Sequence, residues 1–242
     1  MPETPAASTR VSVVIPVHNE SGYLEDALAA ILGEMEGVPA RVEVVLAENG
    51  STDGTAELAD RLAAAHDTVT AIHLSEANYG AAMRAGFLRA GGEWSALFDI
   101  DYYSGLFLAD ALSVADRADL VLASKRAPGA SDQRSAFRRF ATRVFNLLLR
   151  VLFRSRVSDT HGMKAIRATV VADLVPAVRS TKDLFDTELV LRAERAGYRI
   201  VEVPASVEEV RATSQSFLKR VPRTLAGLVR IRLRFWREGR RR

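Results

Sequence analysis

The 242-residue chain contains no cysteine. That absence excludes disulfide bridges, thiolate-bound zinc and a thiol nucleophile, and it suits a reducing compartment. Long apolar runs are missing as well. The greasiest stretch, VFNLLLRVLF at 144–153, is too short to span a bilayer and is interrupted by Arg150. The segment MPETPAASTR has no apolar h-region, so no signal peptide is expected. Internal repeats are also absent. Acidic residues are scarce in two places. Residues 134–156 hold seven Arg and no Asp or Glu, and residues 219–242 hold ten Lys or Arg against Glu238 alone. The formal net charge is +3, yet the remainder of the chain carries 16 basic and 29 acidic residues, a balance of −13. An acidic body with two basic segments implies a directed cationic surface rather than general affinity for polyanions.

What is present reads as a soluble α/β domain, with 48% hydrophobic and 26% charged residues. VSVVIPV (11–17), VEVVLA (42–47), TVTAIHL (68–74), WSALFDI (94–100) and DLVLAS (119–124) have strand character. Helices are expected between the first four, from Ser21 as N-cap to Glu34, over 55–66 and over 80–90. This alternation predicts a doubly wound, mainly parallel sheet, with ligands beyond the carboxyl ends of the strands. HNE, ENGSTDG, SEANYG and DID fall at those ends. Farther on, helices are expected at 136–153, 184–196 and 216–238, a polar turn at SDTHG (158–162) and a strand at 198–204.

In FDID, alternation along a strand would put Asp99 and Asp101 on one side, Ile100 on the other. Two carboxylates roughly 6 Å apart at an effective dielectric of about 20 repel by about 2–3 kcal/mol. Hard oxygen ligands at a sheet's ligand edge suit Mg²⁺ or Mn²⁺ bridged to substrate phosphates, which would remove that repulsion. The GSTDGT loop (50–55) reads as a helix-capping turn, with Thr52 or Asp53 capping, that is also shaped to contact a nucleotide. It is not GxGxxG and lacks the Walker Lys, which weakens dinucleotide and P-loop readings. A haloacid-dehalogenase phosphatase also uses D-x-D, but normally on its first strand and followed by Gly-Thr, where this chain has Tyr102-Tyr103.

VSVVIPVHNE, ENGSTDGT and FDID, in this order and spacing, resemble family 2 glycosyltransferases of the GT-A fold. SDTHGMKAI (158–166) and FDTELVLRAERAGYRIVEVP (185–204) resemble segments of the polyprenyl-phosphate branch, the dolichyl-phosphate mannose and glucose synthase-like enzymes. The resemblance implies a nucleotide pocket lined by Pro16, Asn19 and Glu20, with Glu48, Asn49 and Asp53 in the loop beside it. It implies Asp99 and Asp101 as holders of the metal and donor diphosphate, and Asp159 as an acid beside the acceptor or donor sugar. Lys125 and Arg126 match a basic position facing the acceptor phosphate, with Arg134 and Arg138 able to help. The chain departs from the family at Glu48-Asn49, usually an acidic pair, and at Tyr103, often Gln. A hydroxyl acceptor in place of a phosphate would require a base, for which Asp159 and Glu188 are the candidates. His161 is read as a turn-stabilising or phosphate-binding side chain.

The domain plan expected is a flexible 1–10, a GT-A domain at 11–215 and a basic amphipathic helix with an Arg-rich tail at 216–242. The Arg-flanked apolar stripes of 137–153 and 217–236 suit an anionic membrane interface, and the acidic body argues against nucleic acid. The resulting expectation is an inverting transferase. It would move mannose or glucose from GDP-mannose or UDP-glucose to a polyprenyl phosphate at the cytoplasmic membrane face. A soluble or glycan hydroxyl acceptor is the alternative.

Overall fold

A computed structural model describes residues 9–124, 131–132, 136–181, 184–207 and 217–240, without the side chains of 131–140 and 206–220. The first half alternates strictly: β1 (Arg10–Val17), α1 (Leu24–Met35), β2 (Arg41–Asn49), α2 (Thr55–Ala65), β3 (Val69–Leu74), α3 (Tyr79–Arg89), β4 (Trp94–Leu97), α4 (Gly105–Ser113) and β5 (Leu120–Ser124). Then come β6 (Ser131–Asp132), α5 (Ala136–Phe153), β7 (Lys164–Arg167), α6 (Ala168–Leu174), α7 (Phe185–Ala196), β8 (Ile200–Pro204), β9 (Ser206–Val207) and α8 (Phe217–Gly239). Seven strands form one sheet in the order β3-β2-β1-β4-β7-β5-β8, and β6 pairs with β9 apart from it.

The apolar runs of β1 and β2 lack polar alternation because both sheet faces are covered. Val11, Val13 and Ile15 enter a core with α1, α2 and α4, while Val14 enters a second core with α3, α6 and α7. The chain winds outward from β1 through β2 to β3, then crosses to β4 on the other side of β1. That reversal opens a crevice at the carboxyl ends of β1 and β4, where doubly wound folds bind ligands.

Five elements were not expected from the sequence: α4, α6 and the strands β6, β7 and β9. β7 is the informative one, since it runs antiparallel between β4 and β5, with Lys164 opposite Leu97 and Arg167 opposite Trp94. At four residues and with a cation at its head, KAIR carries no period to recognise. Two further corrections concern ends of elements. Ser21 does not cap α1: Tyr23 holds that position, and the Ser21 amide donates to Asp53 at 3.2 Å. β4 stops at Leu97, not at residue 100, because Asp99 and Tyr102 exchange two 3.1 Å backbone hydrogen bonds and close a tight turn.

α7 is buried along nine consecutive residues, Phe185 to Ala193, because it is covered on both sides. Its second contact is a third apolar cluster in which Leu184 and Leu191 meet Leu149 of α5 and Leu228, Ile231 and Phe235 of α8. An ionic clasp fastens α8 there. Arg192 donates to Glu188 at 2.8 and 3.0 Å and to Glu238 at 3.0 and 3.2 Å, and Arg234 donates to Glu188 at 2.9 Å. Burial pushes the Glu188 carboxyl up, but hydrogen bonds from Ser180 and Arg192 outweigh it and hold the group below its ordinary range. Replacing one partner of such a buried network strands the other charges. Glu188→Gln should lower unfolding stability by about 3 kcal/mol, seen as a reduced urea midpoint with an unchanged slope.

Candidate active site

Two loops at the carboxyl ends of β1 and β2 are sewn together by their own side chains. The Asn19 amide donates to Ser51 Oγ at 2.9 Å, and its side-chain oxygen accepts from the Thr52 amide at 2.9 Å. Glu20 donates its amide to Thr55 Oγ1 at 2.8 Å. Asn19 adopts φ 55°, one of two non-glycine residues with positive φ among those described. Gly50 sits at φ +64°, where an added Cβ would lie 2.7 Å from the Glu76 carbonyl carbon, so that close approach excludes a side chain. Asp53 turns the chain into α2 by accepting from the Thr55 amide and hydroxyl, and the Thr55 hydroxyl chiefly holds its carboxyl down at about 2. Gly54, in the left-handed region, occupies the cap position itself, in place of the expected Thr52 or Asp53.

Glu48 and Asn49 face inward, 2% and 5% exposed. Glu48 accepts from the Ser51 amide at 2.5 Å and lies 3.3 Å from His73 Nδ1, while the Asn49 side chain accepts from the Asn78 amide at 2.6 Å. Both therefore brace the loops from behind. Pro16 precedes them in β1, paired with Ala47.

The Asp99–Tyr102 turn, not strand alternation, presents the two carboxylates, with Ile100 and Asp101 at its tip. Asp99 accepts a hydrogen bond from the Tyr79 hydroxyl at the start of α3. Burial, reinforced by Asp186 and Asp101, raises the Asp99 carboxyl above its ordinary range, against the opposing pull of Tyr79 and Lys164. Among the described residues no three metal-ligating side chains cluster. A hard cation held by Asp99 and Asp101 would thus complete its shell from phosphate oxygens and water.

Reversal of β7 puts its first residue at the same edge as the end of β4, and so delivers the 158–162 turn there. Lys164, fully buried, lies 2.9 Å from Asp186 of α7 and donates to the Gly162 carbonyl at 2.7 Å. Gly162, at φ +100°, faces the Tyr102 ring, 3.6 Å from where a Cβ would stand. Asp159 is buried and accepts from the His161 amide at 2.9 Å, and the His161 ring lies 5.5 Å from that of Phe145, tilted by 59°. Tyr103, half-buried, packs against the core beside Tyr23. Lys125, Arg126 and Arg134 lie outside the described residues, as does the side chain of Arg138. Glu188 is committed to its clasp with Arg192 and Arg234, which removes it as a candidate base. Sequence reasoning missed Tyr79, Lys164 and Asp186. Lys164 and Asp186 lie within the two segments that carry the resemblance, SDTHGMKAI and FDTELVLRAERAGYRIVEVP, but no role was read for them there.

A family model described as Glycosyl transferase family 2 matches residues 12–175. The chain belongs to that family. Its relatives include the polyprenol monophosphomannose synthase of Mycolicibacterium smegmatis, 33% identical over 220 residues that cover 86% of this chain and 81% of the relative. The glycosyltransferase AglD of Haloferax volcanii is 32% identical over 210 residues, 84% of this chain but 34% of that protein, so the chain spans about a third of this relative. Among solved structures, glucosyl-3-phosphoglycerate synthase of Mycobacterium tuberculosis, in complex with Mn²⁺, UDP-glucose and phosphoglyceric acid, superposes with a TM-score of 0.70 at 18% identity, covering 95% of this chain and 82% of that one. The fold is GT-A, and this family 2 member is a glycosyltransferase.

His73 lies between two carboxylates, Nδ1 3.3 Å from Glu48 and Nε2 2.8 Å from Asp60, and satisfies both only when both ring nitrogens carry protons. The Asp60 hydrogen bond, aided by Glu48 and opposed by burial, raises its pKa above 6.5. A group raised on folding stabilises fully below its unfolded value and loses that contribution as pH rises through the folded one. The wild type should therefore exceed His73→Gln in melting temperature below pH 6.5 and lose the advantage in alkaline buffer, with the ring's midpoint followed by NMR.

Proposed function

We propose that this family 2 glycosyltransferase moves a hexose, mannose or glucose, from GDP-mannose or UDP-glucose to a polyprenyl phosphate at the inner face of the cell membrane. One geometric observation carries the reading. The reversed β7 sets the Asp159 turn against the Asp99–Tyr102 turn, so an acid suited to the acceptor side and a carboxylate pair suited to a donor diphosphate share one sheet edge. The similarity to a polyprenol monophosphomannose synthase along 86% of the chain supports the same acceptor class.

Asp99 and Asp101 would hold a divalent cation, Mg²⁺ or Mn²⁺, which when bound offsets the charge of the departing diphosphate. Pro16, Asn19, Glu20 and the 49–55 loop form the wall against which the nucleotide would lie. Glu48, Asn49 and Asp53 keep that wall in place, and Lys164 and Asp186 fix the turns on either side of the reacting atoms. A phosphate oxygen of the acceptor attacks the anomeric carbon, the bond to the diphosphate breaks, and configuration inverts. A phosphate monoester is already an anion, so the step draws on positioning and electrostatics rather than a base. Lys125, Arg126 and Arg138 are assigned to that phosphate, and Asp159 orients the acceptor.

Approach from a membrane surface is supported by two exposed apolar stripes. Val144, Leu147 and Val151 on α5, and Leu225, Val229, Leu233 and Trp236 on α8, are solvent-facing with arginines on their flanks. No helix among the described residues is long and apolar enough to cross a bilayer.

Purified chain with Mn²⁺, a labelled donor and polyprenyl phosphate in detergent should form glycosyl-phosphate lipid. Asp101→Ala should cut kcat/KM roughly a hundredfold or more and abolish the metal-dependent thermal shift given by GDP or UDP, with circular dichroism unchanged. Transfer to a sugar hydroxyl and not to polyprenyl phosphate would overturn the acceptor assignment.

A further inference from the structure

The Asp99–Tyr102 turn fixes the Asp99 backbone through its two hydrogen bonds, but it does not fix the carboxylate. The terminal torsion of an aspartate is broad and roughly two-fold, so the plane of the group is set by what it touches. A phenol supplies that contact here. The Tyr79 hydroxyl donates to Asp99 Oδ1, and Oδ2 accepts no hydrogen bond among the described residues. One oxygen is therefore committed, and the other is left for a cation.

Tyr79 is itself held on two sides. Its ring packs against the second core, which includes Met83 and Phe87 of α3. Its backbone opens α3, where the Asn78 side chain caps the helix by accepting from the Ala81 amide at 3.2 Å. The Asn78 amide in turn donates to Asn49 Oδ1 at 2.6 Å. Gly50 brings the same loop so close that a Cβ on it would stand 2.9 Å from the Ala77 nitrogen. The hydroxyl thus reaches Asp99 from a helix end that is locked to the end of β2.

We infer that Tyr79 is a positioning residue for this glycosyltransferase, orienting the Asp99 carboxylate so that its second oxygen is presented to the divalent cation. The inference rests on the reading of Asp99 and Asp101 as cation ligands and adds to it the group that aligns one of them. Groups that hydrogen-bond a metal-ligating side chain from behind change metal affinity by about 10–100-fold when removed. Tyr79 differs from Lys164 and Asp186 in this respect, because it donates to the ligand itself, whereas they fix the turns around it.

The test reads metal binding directly rather than turnover. Mn²⁺ is titrated into the purified chain with saturating GDP or UDP and followed by calorimetry and electron paramagnetic resonance. Tyr79→Phe should weaken Mn²⁺ binding roughly tenfold. It should leave the affinity for metal-free GDP or UDP unchanged and keep the wild-type melting temperature in metal-free buffer. Unchanged or tighter Mn²⁺ binding overturns the role of Tyr79. An equal loss of metal-free nucleotide affinity assigns the residue to the nucleotide and overturns it as well. Fluorotyrosine placed at position 79 keeps the hydroxyl and decides the matter if Tyr79→Phe does not fold. Its fluorine resonance should move when Mg²⁺ is added to the nucleotide-bound chain, and a resonance that stays still overturns the inference. A wild type that binds no Mn²⁺ with either nucleotide overturns the cation reading itself. That failure is distinct from one in which the wild type binds Mn²⁺ and Tyr79→Phe binds it equally well.

Discussion

Lys164 is a cation with no access to water, and its burial is tolerable only because three separate segments meet around it. Asp186 of α7 supplies the opposite charge, the Gly162 carbonyl supplies an acceptor, and the field of Lys164 reaches Asp99 on the neighbouring turn. Stripped of that cation, the buried Asp186 and the half-buried Asp99 would be left with like charges at one sheet edge, a costly arrangement in a low dielectric. The ion pair thus fixes the distance between the turn that presents Asp99 and Asp101 and the turn that presents Asp159. The proposed chemistry depends on those two turns staying in register.

α7 links this edge to the basic surface. Its first turn holds Asp186 and Thr187, the latter 3.1 Å from Thr160 of the 158–162 turn. Its outer side holds Glu188 and Arg192, which fasten α8. One helix therefore carries both the inner ionic contact and the outer one. The segregation of charge along the chain acquires a structural meaning here: Glu188 neutralises Arg192 and Arg234, which turn inward, and among the described residues the other arginines of the two basic segments are exposed.

Legibility in the sequence followed the physics of each element. β1 and β2 were readable as apolar runs ending in polar turns, and β3 as a short run rich in β-branched residues. α5 was read at its actual limits, 136–153, since its stripe repeats over many turns. β7 was unreadable because four residues hold no period, and with it went the reason the 158–162 turn lies where it does. The D-x-D pair was found by its residue types, yet the mechanism that aligns it was misread: alternation needs a strand, and the strand had already ended at Leu97. Tyr79, Lys164 and Asp186 stayed hidden for a related reason. Their importance is a matter of which buried groups face them, and that is set by the sheet order rather than by neighbours in the chain.

The register of β7 against β4 has an evolutionary corollary. Lys164 stands opposite Leu97, and a slip of a single residue would bring Ala165 into that place and turn the lysine toward the opposite core. The turn that precedes it is therefore of fixed length, and with Asp159 and Thr160 buried it lacks the outward room in which loops ordinarily absorb insertions. Variation among descendants of this chain has a choice of side chain at the exposed position 161, but no freedom to add or remove a residue.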